Sequence, residues 1–98
     1  HITGGGITDN LPRILPAGVS ACIDRRAWPV PPLFAWLRDA GGVPEADCYR
    51  AFNMGIGLIV AVDQSDVTTV CRHLADHGET GAVVIGEVQA GGEGVAYA

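Results

Sequence analysis

Lysine is missing from this chain. Its six basic residues are all arginines, set against eleven aspartates and glutamates for a net charge of −5. Without lysine, neither a P-loop lysine nor a Schiff-base lysine can exist within these residues. A phosphate held here must therefore be held by backbone dipoles or by an arginine. The acidic balance, with no cluster of basic residues, argues against nucleic acid as a partner. No apolar run approaches the roughly 20 residues that span a bilayer, so no membrane partner is expected. A basic segment followed by a long apolar run is also missing, which leaves no signal-peptide pattern. Residue 1 is His1 rather than methionine, so a fragment or a processed chain is expected. No C-x-x-C spacing joins Cys22, Cys48 and Cys71, which disfavours a zinc knuckle or a thioredoxin-type site. Free thiols in a reducing, cytoplasmic compartment are the expectation. No glutamate follows His73 in the H-E-x-x-H manner. His73 and His77 suit the negative end of a helix just before Gly78, and no metal site is expected.

What is present is a globular pattern. Hydrophobic residues make up 48% of the 98 residues and charged residues 17%, enough for one domain with a modest core. Ile2-Thr3 reads as the tail of a strand. A helix follows, capped by Gly6 or Thr8, with Leu11, Ile14 and Leu15 as its apolar stripe and Pro16 and Gly18 as its stop. Val19 to Ile23 reads as a strand. Pro31 or Pro32 starts a helix with Leu33, Trp36, Leu37 and Ala40 on one face, which places Trp36 in the core. Gly41-Gly42 ends that helix, and a shorter one runs from Glu45 to Phe52. Ile56 to Val62 is apolar at nearly every position and predicts a strand buried on both faces. Ser65 is expected to cap a helix with Val67, Val70, Cys71 and Leu74 on one side. Ala82 to Val88 reads as a strand, and Gly91-Gly92-Glu93-Gly94 as a hairpin turn before a last strand, Val95 to Tyr97. The sum is an α/β (α+β) fold, a mixed β-sheet with helices packed on it.

Two glycine segments stand out, Thr3 to Pro12 and Phe52 to Leu58. The first places three glycines directly before a helix, an arrangement that points backbone N–H groups outward at an anion. Taken alone, each segment is better read as a structural turn than as a ligand site, because glycine-rich turns are common. No Ser-His-Asp or Cys-His arrangement follows from spacing.

Several separated motifs, in order, resemble one family. His1-Ile2-Thr3-Gly4-Gly5-Gly6, continuing to Asn10-Leu11-Pro12-Arg13-Ile14-Leu15-Pro16, is similar to the C-terminal domain of the phosphoribosylformylglycinamidine cyclo-ligase (aminoimidazole ribonucleotide synthetase) family. Ile23-Asp24, Trp28-Pro29 and Phe34-x-Trp36-Leu37 resemble it too. So do Tyr49-Arg50-x-Phe52-Asn53-Met54-Gly55-Ile56-Gly57 and the segment from Gly78-Glu79 to Ile85-Gly86. The resemblance covers the whole chain. It implies an ATP-dependent ring closure of formylglycinamidine ribonucleotide to aminoimidazole ribonucleotide in purine synthesis. It implies that residues 1–98 are one partial domain on the substrate side of a cleft. ATP and Mg would be bound mainly by a missing N-terminal domain, which would also form most of a homodimer. The fragment would be inactive alone, with a sheet edge left open.

The resemblance also implies the site. Thr3, Gly4, Gly5, Gly6, Thr8 and Asn10 would hold a phosphate of the substrate, a phosphorylated small molecule. Asn53 and Gly55 would line the facing side of the cleft, and His1 would serve in acid–base chemistry or phosphate contact. The glycine triplet is shared with selenophosphate synthetase and formylglycinamidine synthetase, and a non-catalytic phosphate-binding or assembly domain remains a further alternative.

Overall fold

Val19–Ile23 is the strand around which the sheet forms. In the computed structural model, which describes residues 1–98, this strand, β1, lies between two strands from the end of the chain. β2 (Gly86–Ala90) runs antiparallel to it and β3 (Val95–Tyr97) parallel. The register sets Ala21 beside Val88 and Val95, and Ile23 beside Gly86 and Tyr97. Ala21 and Ile23 are both buried, as residues two apart on one sheet face should be.

The expected hairpin is not formed. Residues 91–94 instead carry the chain across the start of β1, where the Gly91 N–H donates to the Gly18 carbonyl at 2.7 Å. The Ala21 N–H donates to the Gly94 carbonyl at 3.0 Å. β2 and β3 thus straddle β1. Glycines mark a chain reversal, but they do not say whether another strand lies between the two arms. The architecture is α+β with a mixed sheet, as the sequence predicts.

Four helices accompany the sheet. α1 spans only Gly6–Asn10 and passes into a 3₁₀ turn, Leu11–Ile14. The single longer helix expected here breaks because Pro12 has no N–H to donate one turn back. α2 (Pro32–Gly41) has proline in its first turn and closes on Gly42, whose φ of 62° fits the left-handed cap. α3 (Glu45–Ala51) carries Glu45 and Asp47 in its first turn and Arg50 in its last, each favourable to the helix dipole. α4 (Val67–Asp76) follows a 3₁₀ turn at Gln64–Asp66. Its N-cap is Asp66, with no side-chain capping bond, so Ser65 does not cap it.

The core is made by the first half of the chain. Ile7 and Leu11 pack with Cys48 and Tyr49 of α3 and with Ala21 and Ile23 of β1. α2 and α4 contribute no buried residue. On α2 the expected inner face points outward, with Leu33 and Trp36 exposed at 59% and 65%. Phe34 faces inward instead, its ring 6.0 Å from that of Phe52. Trp28, in the proline-rich loop, is the buried tryptophan.

Two expected strands are absent from the sheet. Ile2 and Thr3 are not in a strand, although the Ile2 N–H donates to the Gly57 carbonyl at 2.8 Å. Residues 56–62 are irregular, and Leu58 and Val60 are exposed at 68% and 57%. An apolar run becomes a doubly buried strand only where neighbours pair with its edges and cover its faces. The strand expected over Ala82 to Val88 forms instead at Gly86–Ala90, as β2.

Candidate functional site

The glycine turn is shaped by one buried amide. Asn10 is the buried polar residue of the chain. Its Nδ2 donates to the carbonyls of Thr3 (3.2 Å), Gly4 (3.3 Å) and Gly6 (2.8 Å). Its Oδ1 accepts from the Thr3 hydroxyl at 3.2 Å and from Nη1 of Arg13 at 3.2 Å. An amide has two N–H donors and two acceptor lone pairs, so these contacts fill its capacity. Asn10 therefore braces the turn from within. Thr3 is exposed, but its hydroxyl is turned inward to Asn10.

The three glycines do different work. Gly6, at φ 61°, sits so close to α3 that a Cβ there would collide with the carbonyl oxygens of Tyr49 and Phe52. Gly5, at φ 101°, lies against Asp9, whose Cβ would stand 2.8 Å from an added Cβ. Gly4 faces open space. The Gly6 N–H is taken by the Thr3 carbonyl at 3.0 Å, while the N–H groups of Gly4 and Gly5 have no acceptor within the chain. A helix of five residues has little macrodipole to offer, so any anion here must be met by individual donors.

Thr8 is engaged elsewhere. Its hydroxyl donates to the Tyr49 carbonyl at 3.1 Å and lies 2.8 Å from the Tyr97 hydroxyl. Since the single Thr8 hydroxyl proton goes to Tyr49, Tyr97 is the donor of the second bond. Burial raises the Tyr97 hydroxyl above its ordinary pKa, and burial does the same to Tyr49, whose ring stands 5.0 Å away.

The second glycine segment adjoins the first. Gly6 is seated under the Phe52 carbonyl, and Ile2 is tied to Gly57. Asn53 Oδ1 accepts from the Gly55 N–H at 2.8 Å, which closes a tight turn over Met54, a residue held at φ 55°. Gly55, at φ 96°, lies against Pro31. The Met54 carbonyl accepts from the Trp28 indole at 3.0 Å. His1 is exposed at the chain start and makes no hydrogen bond or ion pair. The structure thus brings the two glycine segments together and leaves His1 at their margin.

Charge around the turn is uneven. Asp9 beside Gly5 is paired at 3.8 Å with Arg50. Arg25, Arg26 and Arg38 pair with Glu45, Asp24 and Asp39. Arg13 and Arg72 have no carboxylate partner. In the sequence Arg13 stands out only as part of the Asn10-Leu11-Pro12-Arg13 motif. Its placement depends on a bond to Asn10, which composition does not reveal. A cavity of about 170 Å³ lies between α2 and α3, lined by Phe34, Cys48 and Tyr49 with Arg38 and Glu45 among its walls.

The comparisons with known proteins agree with one another. The family described as AIR synthase related protein, C-terminal domain, matches residues 1–98. The chain is 51% identical over 96 residues to a phosphoribosylformylglycinamidine cyclo-ligase of Burkholderia pseudomallei (strain 1710b), covering 98% of this chain and 27% of that protein. It is 47% identical over 97 residues to the protein of the same name from Bacillus subtilis (strain 168), covering 99% of this chain and 28% of that protein. The chain therefore spans little more than a quarter of the length of the curated relatives it matches.

Proposed function

Because this chain belongs to the family of AIR synthase related protein C-terminal domains, we propose that it is the substrate-side domain of a cyclo-ligase of purine biosynthesis. Two relatives, from Burkholderia pseudomallei and Bacillus subtilis, carry the cyclo-ligase name, at 51% and 47% identity. The observation that supports the reading best is the pair of uncommitted N–H groups at Gly4 and Gly5, beside open space, on a turn held rigid by Asn10. Backbone donors fixed before binding suit a phosphate oxygen, because no ordering cost falls due when the ligand arrives.

In the proposed reaction, ATP phosphorylates the amide oxygen of formylglycinamidine ribonucleotide. The substrate's own nitrogen attacks the activated carbon, phosphate leaves with the former amide oxygen, and the imidazole ring closes. This domain's part is to hold the substrate by its phosphate. Gly4 and Gly5 supply the donors. Gly6, Thr8 and Asn10 fix the turn, and Asn53 and Gly55 fix the adjoining one. His1, exposed at the start of these residues, is assigned acid–base chemistry or a further phosphate contact. No three His, Cys, Asp or Glu side chains converge here to hold a metal ion. On the strength of the family resemblance, we assign ATP and Mg mainly to an N-terminal domain outside these residues, together with the main contact of a homodimer. A cytoplasmic location follows from the proposed pathway.

A chimera tests the proposal. The matching C-terminal segment of the Bacillus subtilis relative is exchanged for this chain, and ATP-dependent formation of aminoimidazole ribonucleotide is followed. Turnover, with kcat/KM lowered in Gly4→Ala, supports the reading. A folded chimera without turnover would favour a selenophosphate or formylglycinamidine synthetase type, or a non-catalytic phosphate-binding or assembly domain.

A further inference from the structure

We propose that His73 and His77 form a two-nitrogen chelate, open to solvent, for a first-row divalent cation of borderline softness: Zn²⁺, Ni²⁺ or Cu²⁺. The inference is independent of the glycine turn. Both residues are exposed, His73 on α4 and His77 at its C-cap, and their spacing of four puts them on one face of the helix. Their ring centroids stand 4.3 Å apart and the rings are inclined at 38°. Two imidazole nitrogens that share one cation at ~2.0–2.1 Å lie roughly 3 Å from each other, a spacing that rings this close can reach. Leu74 stands where H-E-x-x-H has its glutamate. That removes the hydrolytic centre of the motif but not the pair of ligands.

His77 already has the arrangement of a metal ligand. Its Nδ1 lies 2.9 Å from the His73 carbonyl, and since a carbonyl can only accept, Nδ1 carries the proton. In the neutral ring the lone pair is then on Nε2. Metal-bound histidines are held in this way, one ring nitrogen donating to a carbonyl or carboxylate and the other on the metal. The same bond by itself would cap the helix end, but a cap needs no second imidazole beside it. The His73 ring makes no hydrogen bond or ion pair within the chain, so its nitrogens are uncommitted. The backbone under His77 is fixed as well. The Gly78 N–H, at φ 95°, donates to the Ala75 carbonyl at 3.1 Å, and the Glu79 N–H to that of Leu74 at 2.9 Å. These two bonds close the helix terminus and reduce the ordering left to do when a cation arrives. No third His, Cys, Asp or Glu converges on the pair, so water fills the remaining positions. Imidazole ligands select borderline cations over Mg²⁺ and Ca²⁺, which prefer oxygen. The net charge of −5 favours a cation too. Arg72, one position from His73, does not share its face of the helix.

The test is an NMR titration of the 98-residue chain with Ni²⁺, which is paramagnetic and favours imidazole. It is done in the His1→Ala background, which removes the one other histidine and its chelate with the terminal amine. The amide resonances of residues 70–79 should broaden first, and Mg²⁺ should shift none of them. His73→Gln and His77→Gln should each raise the Kd for Ni²⁺ at least about tenfold, since loss of an outer hydrogen-bond partner alone costs roughly 10–100-fold. In metal-free buffer His73→Gln should melt as the His1→Ala chain does, so its lost affinity reads the ligand and not the fold. Saturating Ni²⁺ should raise the melting temperature of the His1→Ala chain and leave that of His73→Gln unchanged. If His73→Gln binds Ni²⁺ as tightly as before, His77 acts alone and the chelate is overturned. Broadening centred away from α4, or none at about 1 mM Ni²⁺, overturns it as well.

Discussion

Thr8 and Tyr97 are 89 positions apart in the sequence and share a hydrogen bond of 2.8 Å. The bond ties the last strand to the first helix directly beside the glycine turn. It also accounts for a threonine that looks from the sequence like a ligand contact but faces inward. A double-mutant cycle with Thr8→Val and Tyr97→Phe should give a coupling of about 0.5–1.5 kcal/mol in urea unfolding, the ordinary net worth of such a bond. Purely additive losses would mean that the two hydroxyls do not meet in solution.

The glycine triplet should divide under substitution. Gly6→Ala combines an unfavourable positive φ with overlap against the carbonyls of α3, each costing about 1–3 kcal/mol. Together they remove about 2–6 kcal/mol of a total of about 5–15 kcal/mol for a domain of this kind, so the melting temperature should fall steeply. Gly4→Ala should leave the melting temperature nearly unchanged, because its Cβ meets nothing. Circular dichroism melts of the two variants decide the matter, and similar losses in both would contradict the division.

Stability should fall on the alkaline side. Tyr49 and Tyr97 have hydroxyl pKa values raised above 10.0 by burial, so the folded state holds their protons longer than the unfolded state does. Their contribution is complete below pH 10.0 and is lost as the pH rises through the raised folded-state values. With lysine absent, no ammonium titration overlies this range. Denaturant midpoints measured from pH 8 to 11.5 should decline above about 10 and should decline less in Tyr97→Phe. The same decline in a Tyr49→Phe, Tyr97→Phe double variant would place its origin elsewhere.

The two tryptophans should behave as opposites. Trp28→Phe leaves the Met54 carbonyl without its indole donor in a buried setting, a loss of about 1–3 kcal/mol. Trp36→Phe should cost less than about 0.5 kcal/mol, as surface changes do. Iodide should quench the fluorescence of the Trp28→Phe variant far more than that of Trp36→Phe. Equal quenching would show that Trp36 is covered in solution.

The same pair of residues shows what could be read in the sequence. Local signals performed well. Val19–Ile23 forms the strand that its residues predict, and α2 begins on its proline and ends at Gly42. Helical spacing correctly groups Leu33 with Trp36, but it identifies only which residues share a face, not which face has something to pack against. The run from Ile56 to Val62 departs from the strand its residues predict for a related reason, since its burial depends on neighbours that the run itself does not encode. Of the candidate site, the turn itself is legible, because three successive glycines before a helix mark backbone that side chains would obstruct. The place of Asn10 is not, because its partners are three carbonyls, and every residue has one.

The straddled sheet sets a timetable for synthesis. β1 has no strand neighbour until the chain has grown from Ile23 to Gly86, and its second neighbour comes later still. At ~5–20 residues per second that interval is roughly 3–13 s. Throughout it, the backbone amides and carbonyls of Val19–Ile23 have no ladder to join. The sheet can close only once Val95–Tyr97 has been made. A ribosome stalled just before Gly86 would therefore hold a chain with its helices available and no sheet at all.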